Sequence, residues 1–265
     1  MLFSLFLITL GLIVGIISGM LGLGGGVLTV PALVALAPDL GFKAYSMQVA
    51  TGISAFTSLF ATTSGFITHF KKGFISLNFI KPIILISLVA SFCGSIVSSF
   101  VPDKYLQWLF VLVLVVILII EIFAPRPSLN NRNEIDDDSN ATPASLNDPQ
   151  VQLVTGITSF LVSHIGIGGS ILFIPYLLRF RNMPIRYAIG TGTCFVLFNA
   201  VGLIAGKMLL NLVAWHEILM VATSAVIGGQ IGSKLSHKMP ASWLRTLIVV
   251  MMSMTIIKLV INLVH

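Results

Sequence analysis

The chain has 265 residues, of which 56% are hydrophobic and only 9% are charged, and its formal net charge is +6. No soluble domain of this length hides so much apolar surface from water. The composition therefore excludes a soluble enzyme or binding module and predicts an all-α integral membrane protein. In a membrane chain the excess of lysine and arginine sets orientation, and it does not indicate a nucleic-acid partner.

The first half begins with an uncharged segment, residues 1–21, which is long enough to cross a hydrocarbon core of about 30 Å. A glycine cluster follows at Gly24, Gly25 and Gly26, and each glycine weakens a helix by about 1 kcal/mol relative to alanine. The next apolar segment, residues 27–37, spans only about 16 Å at the helical rise. This pattern predicts a broken membrane segment. Full-length spans are then predicted at residues 47–70, 78–100 and 105–124.

The composition changes abruptly after residue 124, to proline, asparagine, serine and acidic residues. A segment of this kind has no core to bury, so it predicts a solvated linker. The chain is therefore divided into an N-terminal membrane repeat, a polar acidic linker and a C-terminal membrane repeat, at residues 1–124, 125–150 and 151–265.

The second half repeats the order of the first, with a short apolar segment at residues 151–164, a second glycine cluster and a half-length segment at residues 171–180. Pro31 and Pro175 stand at matching places after the two clusters. Pro31 is predicted near the first turn of its short helix, where a missing N–H costs little. Such weak repetition is typical of secondary transporters. Spans are predicted at residues 187–209, 213–235 and 241–264, which gives eight to ten hydrophobic segments in all.

The halves are parallel if each glycine break continues the crossing, and inverted if each break turns the chain back. In the first case the basic residues divide eight against seven between the two sides, and in the second case eleven against four. The positive-inside rule favours inverted halves, each a glycine-tipped re-entrant hairpin plus three spans, with both termini outside and the linker in the cytoplasm. The full-length first segment counts against a purely re-entrant hairpin, although two complete short spans would give the same sidedness. The minority side then holds Lys43, Lys104, Lys207 and Lys258.

Two motifs carry a resemblance to a known family. GLGGGVLTVPAL at residues 22–33 and GIGGSILFIPYL at residues 166–177, in two hydrophobic halves joined by a polar linker, resemble the TauE/SafE family of sulfite and organosulfonate permeases. The resemblance covers essentially the whole chain. It implies transport of small sulfur-containing or carboxylate anions, such as sulfite, thiosulfate or organosulfonates, across a bacterial cytoplasmic membrane. The second motif departs from the first in having Ser170 in place of Gly26 and His164 in place of Met20.

The starts of the two half-length helices are the predicted substrate site. A helix start carries roughly half a positive charge on its free N–H groups, and glycine lets an oxyanion approach the backbone closely. In an inverted pair the two starts face each other near the middle of the membrane. The alternative is that the glycines only permit close helix packing. The motif residues expected to bind substrate are Gly24, Gly25, Gly26, Gly168, Gly169 and Ser170.

Polar residues on the helix after each motif are expected to line the same cavity. Membrane serine and threonine often bond to their own helix instead, and Thr51 and Thr191 are the stronger candidates because they match across the repeat. His164 is the titratable side chain near the expected centre, either as a carrier of a coupling proton or as a neutral, hydrogen-bonded histidine. No lysine or arginine is expected at mid-membrane. The polar candidates are Gln48, Thr51, Ser54, Thr191, Thr193 and Asn199.

No cofactor or metal site is expected, because Cys93 and Cys194 lie in apolar runs without metal-ligand spacing and are predicted to be packing thiols. An enzyme would need a catalytic grouping, and the nearest candidate is Ser163 beside His164. Neighbours in sequence do not face each other on a helix, so no enzyme is predicted. The expected partners are a small anion and the lipid bilayer. The sequence thus predicts a secondary transporter, with a channel-like anion permease without ion coupling as the alternative.

Overall fold

The computed structural model describes residues 2–21, 24–71, 73, 75, 77–123, 148–181, 183–236 and 241–264, so the predicted linker lies outside the described residues up to position 147. Within these residues the chain is helical and has no strand, which confirms the all-α prediction. The first half contains α1 (Leu2–Leu21), α2 (Gly26–Asp39), α3 (Met47–Lys71), α4 (Leu77–Ser98) and α5 (Asp103–Phe123). The second half contains α6 (Pro149–Ile165), α7 (Ser170–Phe180), α8 (Ile185–Leu209), α9 (Trp215–Ser236) and α10 (Ala241–Val264).

Four helices of the described part, α1, α4, α5 and α8, are long and apolar enough to cross a membrane. In α8, 72% of the apolar stretch is buried inside the protein, against 28–33% in the other three. Helix α3 is also 25 residues long, but it carries the buried hydroxyls of Thr51, Ser54, Thr57 and Ser58. Helices α3 and α8 therefore form the interior of the bundle, and α1, α4 and α5 face lipid.

Each glycine break turns the chain back. In the first half the loop after α2 returns to the start of α1, where the ring of Phe3 lies 5.3 Å from the ring of Phe42 and 6.2 Å from that of Tyr45. In the second half Arg181, directly after α7, forms a 2.8 Å ion pair with Asp148, which caps the start of α6. Each broken segment is therefore a longer helix, of 20 residues in α1 and 17 in α6, followed by a shorter return helix, and both of its ends lie on one side.

The cap of α6 is charged at neutral pH. The Asp148 carboxylate accepts a 2.8 Å hydrogen bond from the backbone N–H of Gln150. This bond, together with the neighbouring Arg181, lowers the pKa of Asp148 below its ordinary value. A charged carboxylate at a helix start interacts favourably with the helix dipole and here also ties the two ends of the hairpin together.

The contacts at the chain ends establish that the two halves are inverted. The side-chain amide of Gln48, at the start of α3, donates to the carbonyls of Ser99 and Val101 in the loop between α4 and α5. Near the end of α10, Lys258 forms an ion pair with Asp39 at the end of α2. Three helices, α3 to α5, thus follow the first hairpin and alternate in direction, so the end of α5, which precedes the linker, lies at the opposite end of the bundle from the start of α1. The second half then starts from the opposite side to the first.

The contacts between helices are also repeated when the helices of one half are exchanged for the matching helices of the other. Helix α1 packs on α9 as α6 packs on α4, and α3 packs on α9 as α8 packs on α4. Helices α3 and α8 contact each other, as do α5 and α10. Glycines bring the backbones close at the α1 and α9 interface, where a methyl group on Gly15 would overlap the backbone of Ala225 and one on Gly19 the backbone of Gly229.

Tyr45 links the loop after α2 to the second half on the side of the termini. Its hydroxyl donates a 2.7 Å hydrogen bond to Glu217 near the start of α9. Burial, with this bond and the charge of Glu217, raises the pKa of Tyr45, so the phenol remains a donor at neutral pH.

Helix α2 differs from its prediction in length and in the place of its proline. It runs from Gly26 to Asp39, and Pro31 is its sixth residue, so the prediction of Pro31 near the first turn is wrong. Pro31 has no N–H to donate within the helix, and a π-helical stretch, Ala32–Leu36, follows it directly. There the N–H of Ala37 donates to the carbonyl of Ala32, five residues back. The wider turn lets the helix continue past the proline.

Candidate functional site

The two glycine breaks meet inside the bundle. A Cβ atom on Gly24 would lie 3.4 Å from the Cα of Gly168, and a methyl group on Gly26 would overlap the carbonyl oxygen of Gly166. These four glycines are buried. The structure therefore brings the two motifs into direct backbone contact, and we call this contact the glycine junction, formed by residues 24–26 and 166–170.

Several glycines of the junction have backbone conformations that side chains rarely adopt. The φ angle is +78° at Gly24, +69° at Gly166, +90° at Gly168 and +66° at Gly169. Gly166 ends α6 in the left-handed conformation, and Gly169 precedes the first residue of α7. Glycine adopts this region without steric cost, which explains why both breaks can turn so tightly.

Helix α3 holds both motifs through two serine side chains one helical turn apart. The hydroxyl of Ser58 accepts a 2.9 Å hydrogen bond from the N–H of Gly25, and the hydroxyl of Ser54 donates a 2.7 Å bond to the carbonyl of Gly166. Both bonds are buried. Thr51, a turn earlier, packs against Gly166, whose Cβ position would lie 3.0 Å from the Cα of Thr51. One face of a first-half helix thus fixes a loop from each half.

In the first turns of the two return helices, α2 and α7, three backbone amides have no acceptor among the described residues. At the start of α2 the N–H groups of Leu28 and Thr29 bond to the carbonyl of Gly25. The amides of Gly26 and Val27 come earlier, and their intrahelical acceptors would precede the helix. At the start of α7, Ile171 is in the same position.

The neighbouring amides of α7 are already bonded. The N–H of Ser170 donates to the carbonyl of Gly168, and those of Leu172 and Phe173 donate to the carbonyl of Gly169. In the first turns of α2 and α7, the amides without an acceptor in the described part of the chain are therefore those of Gly26, Val27 and Ile171, and the amides of Gly168 and Gly169 in the loop before α7 have none either.

The polar candidates on α3 and α8 divide into two groups. The hydroxyls of Thr51 and Thr193 bond to carbonyls of their own helices, those of Gln48 and Ile189, as the alternative interpretation expected. The side chain of Gln48 points to the loop before α5 instead of the junction.

Two further candidates on α8 make contacts with neighbouring segments. The hydroxyl of Thr191 contacts the sulfur of Met183 at 3.9 Å, and the amide of Asn199 donates to the carbonyl of Ser159 on α6 at 3.4 Å. Gly192, next to Thr191, packs on α7, where its Cβ position would lie 3.7 Å from the Cβ of Ser170. Of the six polar candidates, Ser54 therefore makes the hydrogen bond that reaches a glycine loop.

His164 is buried two residues before Gly166 and bonds to its own helix. Its Nδ1 lies 2.7 Å from the carbonyl oxygen of Phe160, and the two rings lie 4.7 Å apart. Because the carbonyl is an acceptor, Nδ1 carries the proton and the ring can be neutral. Ser163 donates to the same carbonyl at 2.7 Å and does not bond to His164, so the two do not form a catalytic pair.

Lys207 is a buried cation that was not expected. Its side chain, in the last turn of α8, is 0% exposed, and its ammonium donates to the hydroxyls of Ser98 at 3.0 Å and Ser99 at 3.3 Å. Lys207 lies at a span end, as the sequence places it, and not at mid-membrane, but its complete burial was not predicted. The available signal was the pair Gly202 and Gly206, small residues that let α8 approach α4 closely.

Neither cysteine suggests a metal or redox site. Cys194 is buried on α8, as predicted for a packing thiol, whereas Cys93 is exposed on α4, so that prediction is wrong for Cys93. Cys93 faces outward because α4 is one of the lipid-facing helices. The described residues contain no group of three or more histidine, cysteine or acidic side chains that could hold a metal ion.

Comparison with known proteins gives the family. The model of the family described as "Sulfite exporter TauE/SafE" matches residues 7–259. The chain is 23% identical over 257 residues to the probable membrane transporter protein YunE of Bacillus subtilis (strain 168), with 92% of each chain covered. It is 26% identical over 260 residues to a probable membrane transporter protein of Haemophilus influenzae (strain ATCC 51907 / DSM 11121 / KW20 / Rd), again with 92% of each chain covered.

No solved structure matches the chain. The relatives are named as probable membrane transporters and not as enzymes, which agrees with the apolar helices described above. The family match covers nearly the whole chain and both glycine motifs. The chain therefore belongs to the TauE/SafE sulfite exporter family.

Proposed function

We propose that this membrane transporter binds a small anion at the glycine junction, between the starts of α2 and α7. The observation that carries the proposal is that the amides of Gly26, Val27 and Ile171, at two helix starts that meet inside the protein, have no acceptor among the described residues. Each helix start presents roughly half a positive charge. Two of them stabilise an oxyanion without a fixed ammonium beside it, so the anion is held and can still be released.

The substrate class follows from the family. Its description names sulfite export, so we assign sulfite and related small sulfur-containing anions, such as thiosulfate and organosulfonates, as the first candidates and small carboxylates as the second. A sulfite ion has oxygens on several sides, and amides from two directions can bond to it at once. Glycine at the junction keeps side chains out of the space next to these amides.

Inverted halves supply the means of alternating access. On the side of the termini the hairpin is tied to α10 by Asp39 and Lys258, and on the linker side the second hairpin is closed by Asp148 and Arg181. Breaking the ion pair on one side while the ion pair on the other side stays intact exposes the junction to one side at a time. The alternative, a channel without ion coupling, needs an open path past the junction. The buried contact between Gly26 and Gly166 favours the transporter.

We place the protein in the bacterial cytoplasmic membrane with both termini outside and the linker in the cytoplasm. The sequence predicts eleven basic residues on the linker side and four on the side of the termini, and the positive-inside rule assigns the richer side to the cytoplasm. Labelling of single cysteines introduced in the linker tests the placement. Reaction of a linker cysteine with a membrane-impermeant reagent in intact cells would reverse it.

Flux measurements in proteoliposomes test the function. Purified protein is expected to move labelled sulfite, thiosulfate or a small sulfonate at a rate that saturates with concentration, because each cycle carries one bound anion. Unlabelled panel anions should compete with one another for the same site. A rate that rises in proportion to concentration without saturation would indicate a channel. No flux above protein-free vesicles for every anion in the panel would reject anion transport.

A further inference from the structure

The unexplained charge in the described structure is Lys207. Its ammonium group is held by two hydroxyls, and both of these hydroxyls, on Ser98 and Ser99, donate their own protons to the carbonyl of Ser95. They act toward Lys207 purely as acceptors. The ammonium has three protons, so one proton has no acceptor among the described residues.

The charge of Lys207 is not compensated by a direct ion pair in the described part of the chain. Asp103 is near enough to attract it electrostatically, but its Oδ2 accepts from the N–H of Met47 at 3.2 Å. The other oxygen, Oδ1, is buried and has no hydrogen-bond partner. A buried ammonium without a paired anion costs several kcal/mol in a medium of low dielectric. In membrane proteins such a group is more often functional than structural.

The close packing of α8 on α4 brings the ammonium group of Lys207 near α4. A methyl group on Gly206 would overlap the hydroxyl of Ser95, and one on Gly202 would overlap that of Ser91. The two glycines therefore let α8 press against α4, which brings the adjacent Lys207 within hydrogen-bond distance of Ser98 and not into lipid.

Lys207 lies next to the glycine junction. The Cβ position of Gly52 on α3 is 3.9 Å from the Cγ of Lys207, and the preceding residue, Thr51, packs against Gly166 of the junction. The ammonium thus stands on the side of the termini, one layer of residues from the proposed substrate site.

We propose that Lys207, positioned by Ser98 and Ser99, is a second anion site, which receives the substrate between the side of the termini and the glycine junction. The inference rests on the proposed function. The arriving oxyanion accepts the free ammonium proton and supplies the directly bonded negative charge that Lys207 lacks in the described structure. The junction, which holds an anion through amides alone, then takes it from Lys207 over a short distance.

The test is the concentration dependence of sulfite flux for Lys207→Gln, with anion supplied from either side of oriented vesicles. The KM for sulfite on the side of the termini is expected to rise at least about tenfold, the equivalent of about 1.4 kcal/mol, while the KM on the linker side stays near the wild-type value. Lys207→Arg keeps a charge and donors, so it should retain most of the affinity. Lys104→Gln, which removes an exposed lysine on the same side, is the matched control and should transport as wild type.

A wild-type KM in Lys207→Gln on the side of the termini would overturn the second site. If the role of Lys207 were purely structural, Lys207→Gln would lower the melting temperature and change the KM on both sides equally. That result also rejects the proposal. If Lys207→Gln does not fold, Lys207→Arg decides, since a loss of affinity there with normal stability contradicts a charge-based site. Loss of flux in Gly26→Ala with normal kinetics in Lys207→Gln would reject this inference alone. Normal flux in Gly26→Ala would reject the glycine junction as the substrate site.

Discussion

Gly26→Ala is expected to remove most anion transport while the protein still inserts in the membrane. The added methyl group would overlap the carbonyl oxygen of Gly166 and come within 2.7 Å of the hydroxyl of Ser54. Both neighbours are fixed, one by backbone and one by its bond to that backbone. Overpacking of this kind costs about 1–3 kcal/mol, and relief requires the two motifs to separate. Separation removes the paired amides, so flux should fall at least about tenfold.

The matched control is Gly65→Ala on α3. A Cβ atom there meets only the Thr193 methyl carbon, at 3.6 Å, an ordinary van der Waals contact. This variant should transport sulfite at the wild-type rate and melt at the same temperature or slightly higher, because alanine favours a helix over glycine. The measurement is initial flux in proteoliposomes together with the melting temperature. Wild-type flux in Gly26→Ala would show that contact between the motifs is not required.

Leucine substitutions within the motifs should abolish binding as well, but they are less specific tests. A Cβ atom on Gly25 would lie 2.7 Å from a methyl carbon of Val14, and one on Gly169 would lie 2.6 Å from the ring of Phe195. Gly25→Leu and Gly169→Leu therefore disturb helix packing in addition to the anion site. Retained anion affinity in both would contradict a site at the junction.

Ser54→Ala is expected to lower flux about tenfold and to lower the melting temperature. The hydroxyl of Ser54 donates the buried bond to the carbonyl of Gly166, and alanine leaves that carbonyl without this donor. An unsatisfied buried group costs about 1–3 kcal/mol. Because Ser54 belongs to the first half and Gly166 to the second, the loss loosens the contact between the halves and so the position of the amides.

A substitution of a second buried serine is the control, because it removes a hydroxyl without removing the hydrogen bond to Gly166. Ser87 on α4 is also 0% exposed, but it donates to the carbonyl of Ile84 in its own helix, at 3.0 Å. That carbonyl keeps its place in the helix when the hydroxyl is removed, so Ser87→Ala should leave sulfite flux unchanged. Equal losses of flux in Ser54→Ala and Ser87→Ala would mean that the bond to Gly166 has no special role.

The hairpins and the inverted halves were predictable because each has a signal that is local in sequence. Glycine clusters before half-length segments predict a break, and the count of basic residues on each side favours a turn back. The ion pair of Arg181 with Asp148 and the ring contacts of Phe3 confirm the turn in the two halves. Helix α1 is also long and apolar enough to cross a membrane, as the sequence predicted for the first arm of the hairpin.

The partners of individual polar groups were not predictable, since they depend on how closely helices approach. Thr51 and Ser54 look equivalent in sequence, yet one hydroxyl bonds to its own helix and the other to the opposite half. Nothing in the sequence singled out Ser58, although its spacing of four residues from Ser54 places both on one helix face. Lys207 looked like an interfacial lysine because the approach of α8 to α4 is a tertiary property.

The location of a bound anion tests the central claim most directly. Selenite, in which selenium replaces the sulfur of sulfite, can be located in crystals of the protein by its anomalous scattering. An anomalous peak is expected at the glycine junction, with selenite oxygens about 3 Å from the amide nitrogens of Gly26 and Ile171. An ordered selenite bound elsewhere in the protein, with both helix starts unoccupied, would contradict the account.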